Sequence, residues 1–199
     1  MTDFFDIVLR QRACRDFADD DVPDADIERI LDAATHAPSA ENTQPWVFVV
    51  VRDAAMRAAL GDLTRRIWAA GARDYAESHN APKLFAEVDA SVERDLGGAP
   101  VIVVVGADTS AGSHPTALPS SIFPAVQNLL LAANALGYGS ALTTLTTYGG
   151  DELRTTLALP EHVTPMAIVP LGRPARPLGP PRRRPARDVT HRDRYGTPW

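Results

Sequence analysis

Apolar positions change period several times along this chain, and each change predicts an element. Over residues 25–36, Ile27, Ile30, Leu31 and Ala34 fall at i, i+3, i+4 and i+7, the stripe of an amphipathic helix, with Asp24 placed to cap it. The pattern stops at HAPSAENTQPW (36–46), where Pro38 and Pro45 bound a run of small and amide residues. It resumes as WVFVVV (46–51), whose β-branched and aromatic side chains predict a buried strand. Residues 53–97 are helical in composition, with a break over 80–82, and PVIVVVG (100–106) reads as a second buried strand. TSAGSHPTALPSS (109–121) is dense in turn formers and predicts a loop, a candidate gate over a cleft. SIFPAVQNLLLAANALG (121–137) is apolar almost all round over 129–136, as a central buried helix is, with Gly137 as its stop. A short extended stretch, a helix near 150–158 and a third strand, PMAIVPLG (165–172), complete the series. Strands and helices mix without strict β-α-β alternation and without an internal repeat, which favours a layered α+β domain over a doubly wound sheet.

Composition narrows the function classes. The 199 residues, 45% of them hydrophobic, suit one domain over 1–199 with a sizeable core. A net charge of −5 argues against general nucleic-acid or membrane-surface binding, which needs an excess of basic residues. The charge is uneven: residues 173–199 hold eight arginines against Asp188 and Asp193, a basic arm on an acidic body. A single cysteine, Cys14, leaves no internal disulfide and no multi-cysteine metal site, and fits a reducing compartment. The five histidines are scattered without zinc-site spacing. The N-terminus lacks a basic and then apolar leader, and no apolar run nears the roughly 20 residues of a spanning helix, so a soluble cytoplasmic protein is expected.

Candidate chemistry gathers at three places. GYGSAL (137–142) carries part of a dinucleotide glycine pattern, but it follows a helix rather than a strand and lacks the third glycine, so that reading is rejected. With no P-loop either, any phosphate would have to be held mostly by arginine side chains. QRACRDF (11–17) offers Arg12 and Arg15, which fit either a solvated helix face or half of an anion site. Ser39, Asn42, Gln44 and Trp46 of the 36–46 segment supply a hydroxyl, two amides and a flat ring that suit polyol hydroxyls and heterocycle edges, although a plain Pro-bounded connector has the same composition. PRRRP (181–185) could close on the same phosphate from the other end of the chain.

Taken together, RACRDF, APSAENTQPWVFVVV, PAVQNLLLAANALGYGS, IVPLGRP and RRRPARDVTHRDRYG resemble the flavin-dependent nitroreductase family across nearly the whole chain. APSxxNxQPW is the most specific of these elements. The resemblance implies a three-layer α+β sandwich, a central mixed or antiparallel sheet flanked by helices, in an intertwined homodimer with two FMN molecules at the subunit interface. It implies that 173–199 extends onto the partner. Arg12 and Arg15, with the backbone of Ala13 and Cys14, would bind the FMN phosphate, and Arg183 or Arg184 would complete that site. Pro38, Ser39, Ala40 and Asn42 would reach the flavin from the other subunit. Leu142, Thr143, Thr144 and Leu145 would lie along the isoalloxazine ring, with a backbone N–H near N5.

The implied activity is ping-pong hydride transfer from NADH or NADPH, through the flavin, to nitroaromatic, quinone or related acceptors, with no obligatory catalytic side chain. A reductive dehalogenase, a flavin-fragmenting enzyme and a non-enzymatic FMN store are the alternatives. The chain departs from the family pattern at Ala13, where a serine is usual, and at TTLTT (143–147), which replaces the more usual aromatic or glutamate-glycine patterns. Cys14 reads as a small packing residue rather than a nucleophile.

Overall fold

The computed structural model describes residues 3–112 and 114–199; Met1 and Thr2 of the N-terminal segment and Ser113 of the expected loop lie outside them. Four strands form one sheet in the order β1-β2-β4-β3: β1 (Trp46–Val51), β2 (Val101–Asp108), β3 (Gly139–Ser140) and β4 (Val163–Gly172). Their ladders are antiparallel, with Val49 opposite Val104 and Val103 opposite Val169. A strand's side chains alternate between faces, so a strand buried on both must be apolar at every position. β2 meets that demand. Val101, Val103 and Val105 pack with α2 (Asp24–Thr35) and α7 (Leu118–Ala135) on one side. Ile102 and Val104 pack with Leu60 and Leu63 of α3 (Ala54–Ile67) and Leu153 of α8 (Gly150–Thr156) on the other. Helices, sheet, helices is the three-layer α+β sandwich.

Several boundaries differ from the sequence reading, each for a physical reason. β1 is an edge strand, half-buried except at Val51, because only β2 flanks it. Asp24 falls in the first turn of α2 rather than at its cap, a position Pro23 takes with extended backbone. α7 starts at Leu118, inside the stretch expected to be loop, since Pro119 sits in a first turn whose N–H groups need no intrahelical partner. Its end is as expected: Gly137 takes φ +82, and the Tyr138 N–H returns to the Ala133 carbonyl at 2.9 Å.

The helical excursion between β1 and β2 breaks at Asn80, and also at a π turn over Trp68–Ala72, where Gly71 has φ +128. It continues as α4 (Arg73–His79), α5 (Pro82–Glu93) and α6 (Asp95–Gly98), a single turn wound left-handed. α1 (Phe4–Arg10) lies on α7, where Asn134 Nδ2 donates to the Ile7 carbonyl, and it buries none of its residues.

Candidate functional site

The two arginines of QRACRDF are not on a helix. α1 ends at Arg10, and the chain then runs extended as an extra strand beside β3: Ala13 bridges Ser140 in parallel, and the Cys14 N–H donates to the Ser140 carbonyl at 2.9 Å. Further on, the Phe17 N–H donates to the Gly97 carbonyl at 3.0 Å and the Ala18 N–H to the Arg173 carbonyl at 2.9 Å. A solvated helix face is therefore overturned for this pair, and both side chains are half-buried.

Arg12 Nη1 donates to the Gly179 carbonyl at 3.1 Å, which ties the segment to the start of the C-terminal arm. Arg15 faces Glu87 of α5 at 3.9 Å. Burial pulls the Arg15 pKa below its ordinary value, with Glu87 acting in the opposite direction. Guanidinium stays charged in proteins, so a partly desolvated one favours an additional anion.

That anion has room. A cavity of about 700 Å³ is lined by Arg12, Arg15, Lys83, Glu87, Arg182 and Arg183. The arm thus brings Arg182 and Arg183 to the N-terminal pair, while Arg184, exposed like both of them, lies outside this lining. Lys83 and Glu87 were missed by sequence reasoning. Lys83 did carry a signal, being the one lysine in the sequence; Glu87 carried none.

The 142–145 stretch lies on the neighbouring side of the same segment. A smaller cavity, about 120 Å³, has Cys14, Arg15, Val88, Leu142, Thr143 and Leu145 in its wall. Thr143 is held to β4 by reciprocal bonds with Ile168, at 3.0 and 2.8 Å, and the Ala141 N–H reaches the Pro170 carbonyl at 3.3 Å. Since successive N–H groups of an extended chain point opposite ways, the Leu142 N–H faces away from β4 toward this gap. Thr144 is exposed, and Leu142 is 40% exposed. Cys14 is buried with Phe17 and Ala99; burial pushes its thiol pKa up, and Sγ lies 3.3 Å from the Asp16 carbonyl. It packs, as expected.

Pro38, Ser39, Ala40 and Asn42 stand elsewhere. Their loop leads through Pro45 into β1, at one edge of the sheet, whereas residue 13 extends the opposite edge beyond β3. At about 4.8 Å per strand, roughly 20 Å of sheet separates them. The loop is tightly specified nonetheless. Glu41, Asn42 and Gln44 hold φ of +54, +55 and +49, conformations costing about 1–3 kcal/mol each that persist only where surroundings impose them. The surroundings are visible: Ser39 Oγ accepts the Gln44 N–H and Ser121 Oγ accepts the Ala40 N–H, both at 3.0 Å. Trp46 packs against the main core, so its ring is structural within one chain.

Among the described residues no group of His, Cys, Asp and Glu could hold a metal ion, and no helix is long and apolar enough to cross a membrane.

Comparison with known proteins gives one consistent answer. The family model described as the nitroreductase family matches residues 8–173. A candidate NADH dehydrogenase/NAD(P)H nitroreductase of Archaeoglobus fulgidus is 31% identical over 87% of this chain and 87% of its own. Among solved structures, a candidate nitroreductase from Desulfovibrio desulfuricans in complex with FMN superposes with a TM-score of 0.77 and 26% identity, over 98% of this chain and 99% of the other. Iodotyrosine deiodinase bound to FMN and 3-iodo-L-tyrosine superposes with a TM-score of 0.75 and 25% identity, over 98% and 99% of the two chains.

Proposed function

This chain belongs to the nitroreductase family, and from that premise we infer that it is an FMN-dependent oxidoreductase that takes hydride from NADH or NADPH. The observation that carries the reading is the cavity where half-buried Arg12 and Arg15 meet Arg182 and Arg183. A phosphate monoester brings about −1.5 to −2 charges and three acceptor oxygens, which several guanidinium forks satisfy better than any single cation. The residues present fit such a group. Arg12 and Arg15 hold the phosphate, Arg183 closes on it from the arm with Arg182 beside it, and the backbone of Ala13 and Cys14 fixes the segment.

The 142–145 stretch, adjoining the phosphate cavity through Arg15, borders the ring, with the Leu142 N–H turned toward it. When bound, FMN supplies the hydride relay between nicotinamide and acceptor. The protein's part is to orient, to exclude water and to place positive charge and N–H donors where negative charge develops. Donor and acceptor use one position in turn, so steady-state kinetics are ping-pong.

Among the described residues of the smaller cavity's wall Arg15 is the one charged residue, and none is a carboxylate that could pair with the ammonium of an amino acid. That supports uncharged nitroaromatic and quinone acceptors stacked on the ring as our reading of the acceptor class. Reductive dehalogenation is the second reading, supported by the likeness to iodotyrosine deiodinase. We place the protein in the cytoplasm, where its lone buried thiol stays reduced.

The chain works as a homodimer in this reading. α1 presents Phe4, Phe5 and Leu9 at 64%, 70% and 67% exposure, an apolar surface that a second copy would cover. The partner's 38–42 loop would then complete each flavin site, which the separation across the sheet prevents within one chain.

The deciding experiment is to purify the protein, identify its chromophore after denaturation, and follow oxidation of NADH and NADPH with menadione, a nitrofuran and 3-iodotyrosine. Bound FMN with turnover of the first two acceptors is expected. Colourless protein that binds no FMN at about micromolar concentration sinks the cofactor assignment. Turnover of 3-iodotyrosine alone selects the dehalogenase.

A further inference from the structure

In α6 four consecutive residues, Asp95, Leu96, Gly97 and Gly98, take φ of +52, +63, +79 and +72. Glycine adopts that region freely, but Asp95 and Leu96 do so against steric cost, and a run of left-handed residues is unusual for any L-chain. The turn is not a surface accident. Leu96 and Gly97 are buried, and the Gly98 N–H closes the turn onto the Arg94 carbonyl at 2.5 Å.

Its outer side carries the segment that holds the arginines. The Gly97 carbonyl accepts the Phe17 N–H, and a Cβ built on Gly97 would overlap the Arg15 carbonyl, lying 2.8 Å from its carbon. Arg94, one residue before the turn, pairs with Asp16. Residues 15–17 therefore rest directly on this turn, with no side chain between the two backbones. Arg12 is anchored separately, by the Gly179 carbonyl.

The geometry points to Gly97 as a positioning residue for phosphate recognition. By allowing the backbones to touch, it sets where Arg15 enters the cavity relative to Arg12. The proposal rests on reading that cavity as the FMN phosphate site. It reaches further in assigning phosphate discrimination to a residue that touches no ligand. A side chain at 97 must push the Arg15 backbone away, and the two guanidinium forks then no longer converge on one anion.

The adjacent glycine provides the control. Gly98 has a similar φ, but a Cβ there meets only the flexible Arg94 side chain, at 3.0 Å. Gly97→Ala and Gly98→Ala thus share the backbone strain and differ in contact with Arg15. The readout compares FMN with riboflavin, which has the same ring and ribityl chain without the phosphate.

Fluorescence titration of flavin-free protein should show Gly97→Ala losing about tenfold or more in FMN affinity relative to riboflavin, against about 1.4 kcal/mol per decade. Gly98→Ala should lower thermal stability and leave that ratio at the wild-type value. An unchanged ratio in Gly97→Ala, or an equal change in both variants, overturns the proposal. Should Gly97→Ala fail to fold, hydrogen exchange on the wild type decides. The Phe17 amide, bonded to Gly97, should be protected more with FMN bound than with riboflavin bound, and equal protection overturns the proposal. Arg12→Ala and Arg15→Ala are titrated alongside. If both keep wild-type FMN affinity, the phosphate-site reading falls and this proposal with it; if they weaken binding and Gly97→Ala leaves the ratio alone, only this proposal falls.

Discussion

Arg12 and Arg15 leave an extended segment locked between β3, α6 and the start of the C-terminal arm, which sets what their removal costs. Charge-assisted hydrogen bonds contribute about 1.5–3 kcal/mol each. Arg12→Ala or Arg15→Ala should therefore weaken FMN binding by about tenfold to a hundredfold, with the lysine variants in between because they keep charge but lose the fork. Flavin fluorescence titration checks this, and unchanged affinity in both alanine variants would mean the phosphate binds elsewhere.

Cys14 behaves differently. Its pKa is raised by burial, so folding favours the protonated thiol. That contribution is complete below the ordinary value of 9.0 and fades as pH rises through the folded value. Urea unfolding at about pH 8 and about pH 10 should show a larger alkaline loss in wild type than in Cys14→Ala; equal losses would mean the thiol is solvated.

At this scale the sequence was partly legible. Arg12 and Arg15 stood out in the sequence as either a solvated helix face or half of an anion site, and PRRRP as a second basic cluster with Arg183 and Arg184 as alternatives. The fold brings Arg182 and Arg183 to the cavity of the N-terminal pair. Glu87 did not stand out, since a carboxylate in a helix of mixed charge looks like solvated surface until the fold turns it toward Arg15.

Elements were easiest to read where both faces of a strand are apolar, as in β2, and hardest where local chemistry gives no warning. The break over 80–82 was visible because Pro82 cannot continue a helix from the residue before it. The π turn at Gly71 and the left-handed turn α6 were not visible. Asp95 and Leu96 are ordinary residues, and tertiary contacts to residues 15–17 impose their backbone. Strand burial was also overread at β1, whose composition matches β2 while its place at the sheet edge does not.

The helix caps offer a separate test of what belongs to stability alone. Asp53 is exposed, caps α3 and accepts the Met56 N–H at 2.8 Å. Asp53→Ala should cost about 1 kcal/mol of stability. FMN affinity should not change, because Asp53 sits at the N-terminal end of α3, eleven residues before Thr64 in the smaller cavity's wall and away from Leu60, Leu63 and Arg65, which meet α6. A loss of flavin affinity in this variant would mean that the helical excursion communicates with the cofactor more closely than its contacts indicate.

Over the whole molecule, charge and exposed apolar surface point the same way. The arm's eight arginines face two aspartates, which leaves residues 1–172 with twelve basic and 23 acidic residues. Past Gly179 the arm is almost entirely exposed, including Tyr195 at 93% and Trp199 at 70%, and arginines that exposed gain little from isolated ion pairs in water. Laid on the acidic body of a second copy, the same arginines are partly desolvated and paired, and the aromatic residues are covered. Each arm would then do two jobs, closing the phosphate cavity of its own chain with Arg182 and Arg183 and joining the two subunits. Truncation after Gly172 should consequently release both FMN and the dimer, seen as loss of flavin absorbance and a halved mass by light scattering. Raising salt from about 0.1 to 1 M, which shortens the screening length from roughly 10 to 3 Å, should weaken the arm's ion pairs and with them the dimer, read as a fall in mass by the same light scattering. A truncated chain that stays dimeric and fully loaded with FMN would show that α1 and the 38–42 loop hold the assembly without the arm.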